Sequence, residues 1–271
     1  MFFNLADFGA KGDGLTLNTN AFAAAMNAVR NAGGGTLLIP PGRWKTGTVA
    51  LVSDLTLVIA RGAAVIGSES PDDYRHDATI RYHRESFYLF EGIGVANVEI
   101  TGGGAILGNG PAFWENEFFH DWNREGKHGL PYPCLRRPKA RRPHAVIYFS
   151  DSNRLRIGNL AIIDAPTYTI WLVGCENAVI EGLTVRNDRH GPNTDVLDLD
   201  CSRNVRISNC DLSAGDDCIA LKSDPNRTGT GFACENITVS NCVLSSVTCA
   251  VRIGYEGDAP IRDCVFSNLT I

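Results

Sequence analysis

Three aspartates, Asp195, Asp216 and Asp217, are the residues whose type and spacing best suit chemistry in this chain. They lie within Asn193 to Ser223, NTDVLDLDCSRNVRISNCDLSAGDDCIALKS, where Asp195 ends an Asn-Thr-Asp turn and the Asp216-Asp217 pair follows a glycine. Asp195 and Asp216 stand 21 residues apart, with turn, strand, turn and strand between them. If the chain coils once in that interval, parallel strands about 4.8 Å apart bring the second acidic turn beside the first. Carboxylates that close cannot all ionise easily, so one should keep a proton while a neighbour stays charged. General acid–base chemistry needs that division. The competing use of acids in such turns is to cap backbone amides or to hold calcium.

The elements that must position these acids are short strands in a repeat. A polar residue or two, often with Asn, then alternating apolar residues and a second short strand recur as VANVEITGGGAI, CENAVIEGLTV, SRNVRISNCDL and CENITVSNCVL, and more weakly as SNRLRIGNLAI and APIRDCVFSNLTI. Asn153, Asn177, Asn204 and Asn236 are the comparable asparagines, separated by 24, 27 and 32 residues. A period of that size belongs to a solenoid whose coils bury their inner faces by stacking. Hairpin signals are scarce, which favours a right-handed parallel β-helix, an all-β fold, over a propeller or sandwich. One helix is expected, over 18–32. Asn18 or Thr19 can cap it, Phe22, Ala25, Met26 and Val29 recur at helical spacing, and Gly33-Gly34-Gly35 stops it. Placed at the first coil, it covers an edge that would otherwise pair with another molecule.

The expected organisation is a single domain over 1–271 with an inserted loop over 112–144. That loop is rich in aromatic and basic residues, among them Trp114, Phe118, Phe119, Trp122, Tyr132 and the run LRRPKARRPH. Between Arg124 and His144 seven Lys and Arg face one Glu, in a chain whose net charge is −5. A basic island in an acidic chain can attract an anionic ligand; a solvated loop is the alternative. The overall charge argues against general nucleic-acid binding. No run of about 18 apolar residues marks a membrane span, and the start, MFFNLADFGAKGDG, lacks the basic and apolar regions of a secretory leader. The expected location is therefore cytoplasmic, or secreted with the leader absent. Nine cysteines show no zinc spacing. Several recur at equivalent repeat positions, as Cys210, Cys242 and Cys264 do, and read as small buried hydrophobes between coils.

Asn193-Thr194-Asp195, Gly215-Asp216-Asp217 with CIALKS, and the opening FGAKGDG together resemble glycoside hydrolase family 28, the polygalacturonases and their relatives in the pectin-lyase-like superfamily. ITGGGAILGNG, Arg142-Pro143 and APTYTIWLVGCENAVIEGLTV extend the likeness in order along nearly the whole chain. The resemblance implies a right-handed parallel β-helix, hydrolysis of pectic polysaccharide with inversion, and no metal or other cofactor. It also implies that Asp216 protonates the leaving oxygen while Asp195 and Asp217 activate water. Two departures stand out. Where the family has Gly-His-Gly, aligned by Ile253-Gly254, this chain reads Val247-Thr248-Cys249. The family's Arg-x-Lys motif is expected beyond Ile271, where the chain ends on a strand-like run. An incomplete last coil is therefore expected, with Arg252 able to take part of the missing motif's function.

The remaining candidates are substrate-binding ones. They are Asn193 in the turn, His190 just before it, Lys222 after the acid pair, Arg252, and Arg142 in the basic loop. Lys222 can bind an anionic sugar or pair with the acids. If the strand after Asp195 is regular, Asp198 and Asp200 point away from Asp195; Asp198 can order the site, and Asp200 meets solvent or the next turn. The expected partner is an anionic polysaccharide or oligosaccharide, with no nucleic acid and no membrane, and the sequence leaves the oligomeric state open. The competing functions are a glycan-binding or structural β-helix, and a lyase or epimerase on the same fold.

Overall fold

A computed structural model describes residues 1–75, 86–119, 135–226 and 233–271. Its strands stack into a right-handed parallel β-helix with three faces. One face is a seven-stranded parallel sheet that includes Tyr88–Ile93, Ala145–Ser150, Tyr168–Val173, Leu197–Asp200, Ile219–Lys222 and Val251–Ile253. The other two are joined through Cys234–Ser246, a 13-residue strand that pairs along both.

Stacking of like on like builds the core. Leu37, Leu57, Ile100, Ile157, Ile180, Ile207 and Val239 are register partners from coil to coil and are essentially fully buried. Each coil thus contributes one aliphatic side chain to a column, and removing one, as in Ile180→Ala, should cost about 2–5 kcal/mol. The sharp corners use residues that tolerate left-handed backbone. Asn97, Asn177, Asn204 and Asn236 sit at φ 56–57°, and the carboxamide of Asn204 donates to Asn177 Oδ1 at 3.2 Å. Register corrects one expectation. Asn153 pairs with Glu176, so Arg154, at φ 56°, is the residue equivalent to Asn177.

The helix runs Thr19–Asn31 and buries Phe22, Ala25, Met26 and Val29 against the first coil. Its cap differs from the expectation. The Asn18 side chain makes no cap bond; it is buried and instead accepts from Lys11 N and donates to the carbonyls of Lys11, Thr16 and Lys45. Cys175, Cys201, Cys210, Cys218, Cys234 and Cys242 are free and buried between coils, while Cys264 is only partly covered.

The inserted segment opens and closes as an antiparallel ribbon, Trp114–Phe119 against Leu135–Pro138. Trp114 is an anchor rather than part of an aromatic surface: it is 4% exposed, and its indole donates to Pro166 O at 3.0 Å. Trp122, Tyr132, Arg124 and Lys127 lie outside the described residues. The described cations of the loop are engaged with the protein, Arg141 with Asp72 at 2.7 Å, Arg137 with Glu115 at 3.6 Å, and Lys139 with the carbonyl of Ala112. Among the described residues no helix is long and apolar enough to cross a membrane.

Candidate active site

On the seven-stranded face, Leu197, Leu199, Ile219 and Leu221 point into the core, which turns Asp198, Asp200, Ala220 and Lys222 outward. Register pairs Asp198 with Ala220, and Asp200 with Lys222. Asp195 lies in the turn before this strand, and Val196 N donates to Asp217 O at 2.9 Å, so the Asp195 and Asp217 turns sit side by side in adjoining coils. Here strict alternation fails. The strand begins only at Leu197, and the turn brings the Asp195 carboxylate to the same side as Asp198, whose charge acts on it.

Thr194 ties the two acidic turns together. Its hydroxyl, fully buried, donates to Gly191 O and accepts from Gly215 N, each at 3.1 Å. A Cβ at Gly215 would meet Thr194 Oγ1 at 2.4 Å and Asp188 O at 2.5 Å. Only glycine permits that approach, which explains the glycine before the acid pair. Asn193, at φ 56°, accepts from Arg142 at 3.0 Å, and the same guanidinium donates to Pro192 O at 2.8 Å and Pro166 O at 3.1 Å. Arg142 therefore holds the turn that presents Asp195. It does not line the cavity beyond.

That cavity, about 100 Å³, gathers the carboxylates of Asp195, Asp216, Asp217 and Glu256 and the cations Lys222 and Arg252. Tyr168, Tyr255 and Asn193 complete its wall. His190 is not part of it; His190 is half-buried, donates its backbone N–H to Asp188, and accepts from Arg136 N.

Burial sets the electrostatics. Asp195 is 4% exposed and its Oδ1 has no hydrogen-bond partner. Burial, then the charges of Asp198 and Asp216, push its carboxyl well above the usual range, although Lys222 pulls the other way. Asp198 rises to about 6 through burial, with the Lys222 ammonium 2.6 Å from its Oδ1 restraining the rise. Asp200 rises to about 7 for the same reason; it is fully buried rather than solvent-facing, and it accepts from Asp224 N in the next turn. Burial disfavours the Lys222 charge, but Asp198, Tyr168, Asp195 and Glu256 outweigh that and hold the ammonium above its ordinary value. Of the two roles open to Lys222 from sequence, the structure shows the pairing with acids.

The coil after the acid pair supplies Arg252, already a candidate from sequence, and further groups that sequence reasoning missed. Thr248 Oγ1 lies 2.9 Å from Asp216 Oδ1 and 3.2 Å from Asp217 Oδ1, and Arg252 Nε donates to Asp217 Oδ2. The Arg252 guanidinium also rests 5.3 Å from the Tyr255 ring centroid. Nothing in their local sequence marked Thr248, Tyr255 or Glu256, which act only through coil stacking.

The profile of glycosyl hydrolases family 28 matches residues 75–247. The chain belongs to that family. Among curated family members, a "Probable polygalacturonase" of Vitis vinifera is 31% identical over 284 aligned residues, covering 96% of this chain and 52% of the relative. Among solved structures, an exopolygalacturonase from Thermotoga maritima superposes with TM-score 0.81 at 25% identity, over 99% of this chain and 66% of its own length. A family 28 exopolygalacturonase from Yersinia enterocolitica gives TM-score 0.74 at 22% identity, over 99% of this chain and 53% of its own. This family 28 chain thus spans about half the length of the curated relative it matches.

Proposed function

We propose that the chain is a glycoside hydrolase acting on galacturonate-containing pectic polysaccharide or its oligosaccharides. The observation that carries this reading is the cavity itself: Asp195, Asp216 and Asp217 meet across two adjoining coils beside two cations, Lys222 and Arg252. Hydrolysis of a glycosidic bond needs a protonated carboxyl at the leaving oxygen and a carboxylate at the attacking water. A substrate that brings its own carboxylate also needs cations nearby.

The family resemblance gives Asp216 the role of proton donor, with Asp195 and Asp217 holding water. The geometry supports a finer division between the last two. Arg252 Nε donates to Asp217, which fixes that carboxylate in a position suited to orienting water. Asp195, whose environment favours the proton, is the stronger base once ionised. The reactive state we assign has the proton on Asp216 and the charge on Asp195, so Asp195 must first give up the proton that its burial favours.

A second feature bears on the mode of attack. N-terminal to the acids, the same face carries Tyr88, Tyr148 and Trp171, of which Tyr88 and Tyr148 stack at 3.9 Å, and all three are at most 3% exposed. A sugar ring cannot lie on a covered wall. The face opens at the far rim of the cavity, where Tyr255 is 82% exposed, and this favours attack from a chain end over attack within the polymer.

Polygalacturonate should release reducing ends without the unsaturated product of a lyase, and proton NMR of the first product should show the inverted anomer. Asp216→Asn should lower this rate by on the order of 10² to 10⁴. A substrate with an activated leaving group should partly rescue Asp216→Asn and not Asp195→Asn. Equal rescue of both variants, or full activity in either, removes the assignment.

A further inference from the structure

Resting on the hydrolase reading, the unexplained feature is a single hydroxyl between two acids. Thr248 Oγ1 is within hydrogen-bond distance of both Asp216 Oδ1 and Asp217 Oδ1, and 3.4 Å from Ser246 Oγ, whose own proton goes to Asp216 O, yet a hydroxyl has one proton to give and two lone pairs to accept with. If both carboxyls were ionised, Thr248 would satisfy one and present a lone pair to the other. The arrangement is complete only when one of the two acids is itself a donor to Thr248. Arg252 decides which. Its Nε–H is committed to Asp217 Oδ2, so Asp217 serves as the acceptor of the pair and Asp216 is left as the member able to donate.

We propose that Thr248 and Arg252 are positioning residues that place the shared proton on Asp216. Asp216 O–H donates to Thr248 Oγ1, and the Thr248 hydroxyl donates in turn to Asp217. The hydroxyl is held for this by its own turn. Thr248 N donates to Ser246 Oγ at 2.8 Å, and the Ser246 hydroxyl donates to the backbone carbonyl of Asp216. The same turn therefore grips the main chain and the side chain of the proton donor. The choice matters because Asp195 competes for the proton from the adjoining coil. Also facing the trio are Asp198, Lys222 and Glu256, with Cys218 and Cys249 beside Asp217. None of these stands in the bridging position of Thr248. The residue occupies the place where the family pattern has a histidine, so this chain orders its acid pair with a neutral hydroxyl and a guanidinium.

The test compares Thr248→Val, which keeps the shape and loses the hydroxyl, with Thr248→Ser, which keeps the hydroxyl. On polygalacturonate the Val variant should lose about threefold to tenfold in kcat, the worth of one hydrogen bond, while on a galacturonide with an activated leaving group it stays within about twofold of the parent. The Ser variant should match the parent on both. Loss of a merely structural contact would lower both substrates alike, and that result overturns the proposal, as does a Val variant equal to the parent. A second readout does not require turnover. In chains labelled with ¹³C at aspartate carboxyls, the signal that disappears in Asp216→Asn should lose its proton at lower pH in the Val variant, by about half to one pH unit, and return in the Ser variant. An unmoved signal refutes the role of Thr248 even if the chain hydrolyses pectin; a moved signal in a chain that cleaves nothing upholds it while the hydrolase reading falls.

Discussion

Asp200 offers a direct test of how burial governs the electrostatics of this face. Its side chain is fully buried, its Oδ1 accepts from Asp224 N at 2.9 Å, and burial raises the carboxyl from 3.8 to about 7. The unfolded chain ionises near the lower value and the folded chain near the higher. Any stability tied to this group is therefore fully present below pH 4 and is lost as pH rises through about 7. The gap corresponds to about 4 kcal/mol, and relaxation around the charge should leave about 2–4 kcal/mol. Asp200→Asn keeps the acceptor oxygen and removes the charge. It should be close to neutral at pH 4.5 and stabilising at pH 8.5, by about 4–16 °C in Tm at about 2–4 °C per kcal/mol for a chain of this size. Thermal unfolding of both proteins at the two pH values isolates Asp200, because the other raised acids cancel in the double difference. A variant that loses as much stability at pH 8.5 as at pH 4.5 would refute the reasoning.

Lys222→Met should destabilise the chain by about 3–5 kcal/mol at pH 8, since it leaves buried Asp198 charged without its ammonium; the deficit should shrink at pH 5, where Asp198 takes a proton, and denaturant melts showing an equal deficit at both pH values would contradict this. Arg142→Gln loosens the turn at Asn193, Pro192 and Pro166; kcat should fall by about tenfold to a hundredfold with little change in Tm, and Arg142→Lys should not restore it. Chromatography of early products from long polygalacturonate should show mono- or disaccharide with slow loss of viscosity. A ladder of mid-sized fragments would show that the buried Tyr88–Trp171 wall does not limit the substrate.

Much of this architecture was legible because a solenoid writes its period into the sequence. The alternation in NVRIS and NITVS, and the left-handed turn residues before it, specify strand and corner without reference to distant contacts. The helix was equally plain from Phe22, Met26 and Val29. Its cap was not, because the Asn18 carboxamide answers to Lys11, Thr16 and Lys45, one local and one distant loop that no helix rule contains. Asn153 misled for a related reason. Asparagine marks the corner by conformational preference, and at this coil Arg154 takes the left-handed position instead.

The site was legible in its acids and illegible in what governs them. Period-two reasoning placed Asp195 opposite Asp198, yet the strand starts after Asp195, and a turn has no parity to obey. Four successive coils build the site: the first gives Tyr168, the second Asp195 and Asp198, the third Asp216, Asp217 and Lys222, and the fourth Thr248, Arg252, Tyr255 and Glu256. Within one coil, local motif and pattern identify the candidates. Between coils, contact depends on coil lengths that vary from 22 residues, Leu197 to Ile219, to 32 residues, Ile219 to Val251. Sequence spacing consequently finds the carboxylates, which sit in a compact motif, names Arg252 only as a substrate contact, and misses the Thr248 hydroxyl that arrives a full coil later. Under the proposed mechanism, Thr248 and Arg252 are the groups that separate three chemically alike acids into a donor, a base and a neutralised partner.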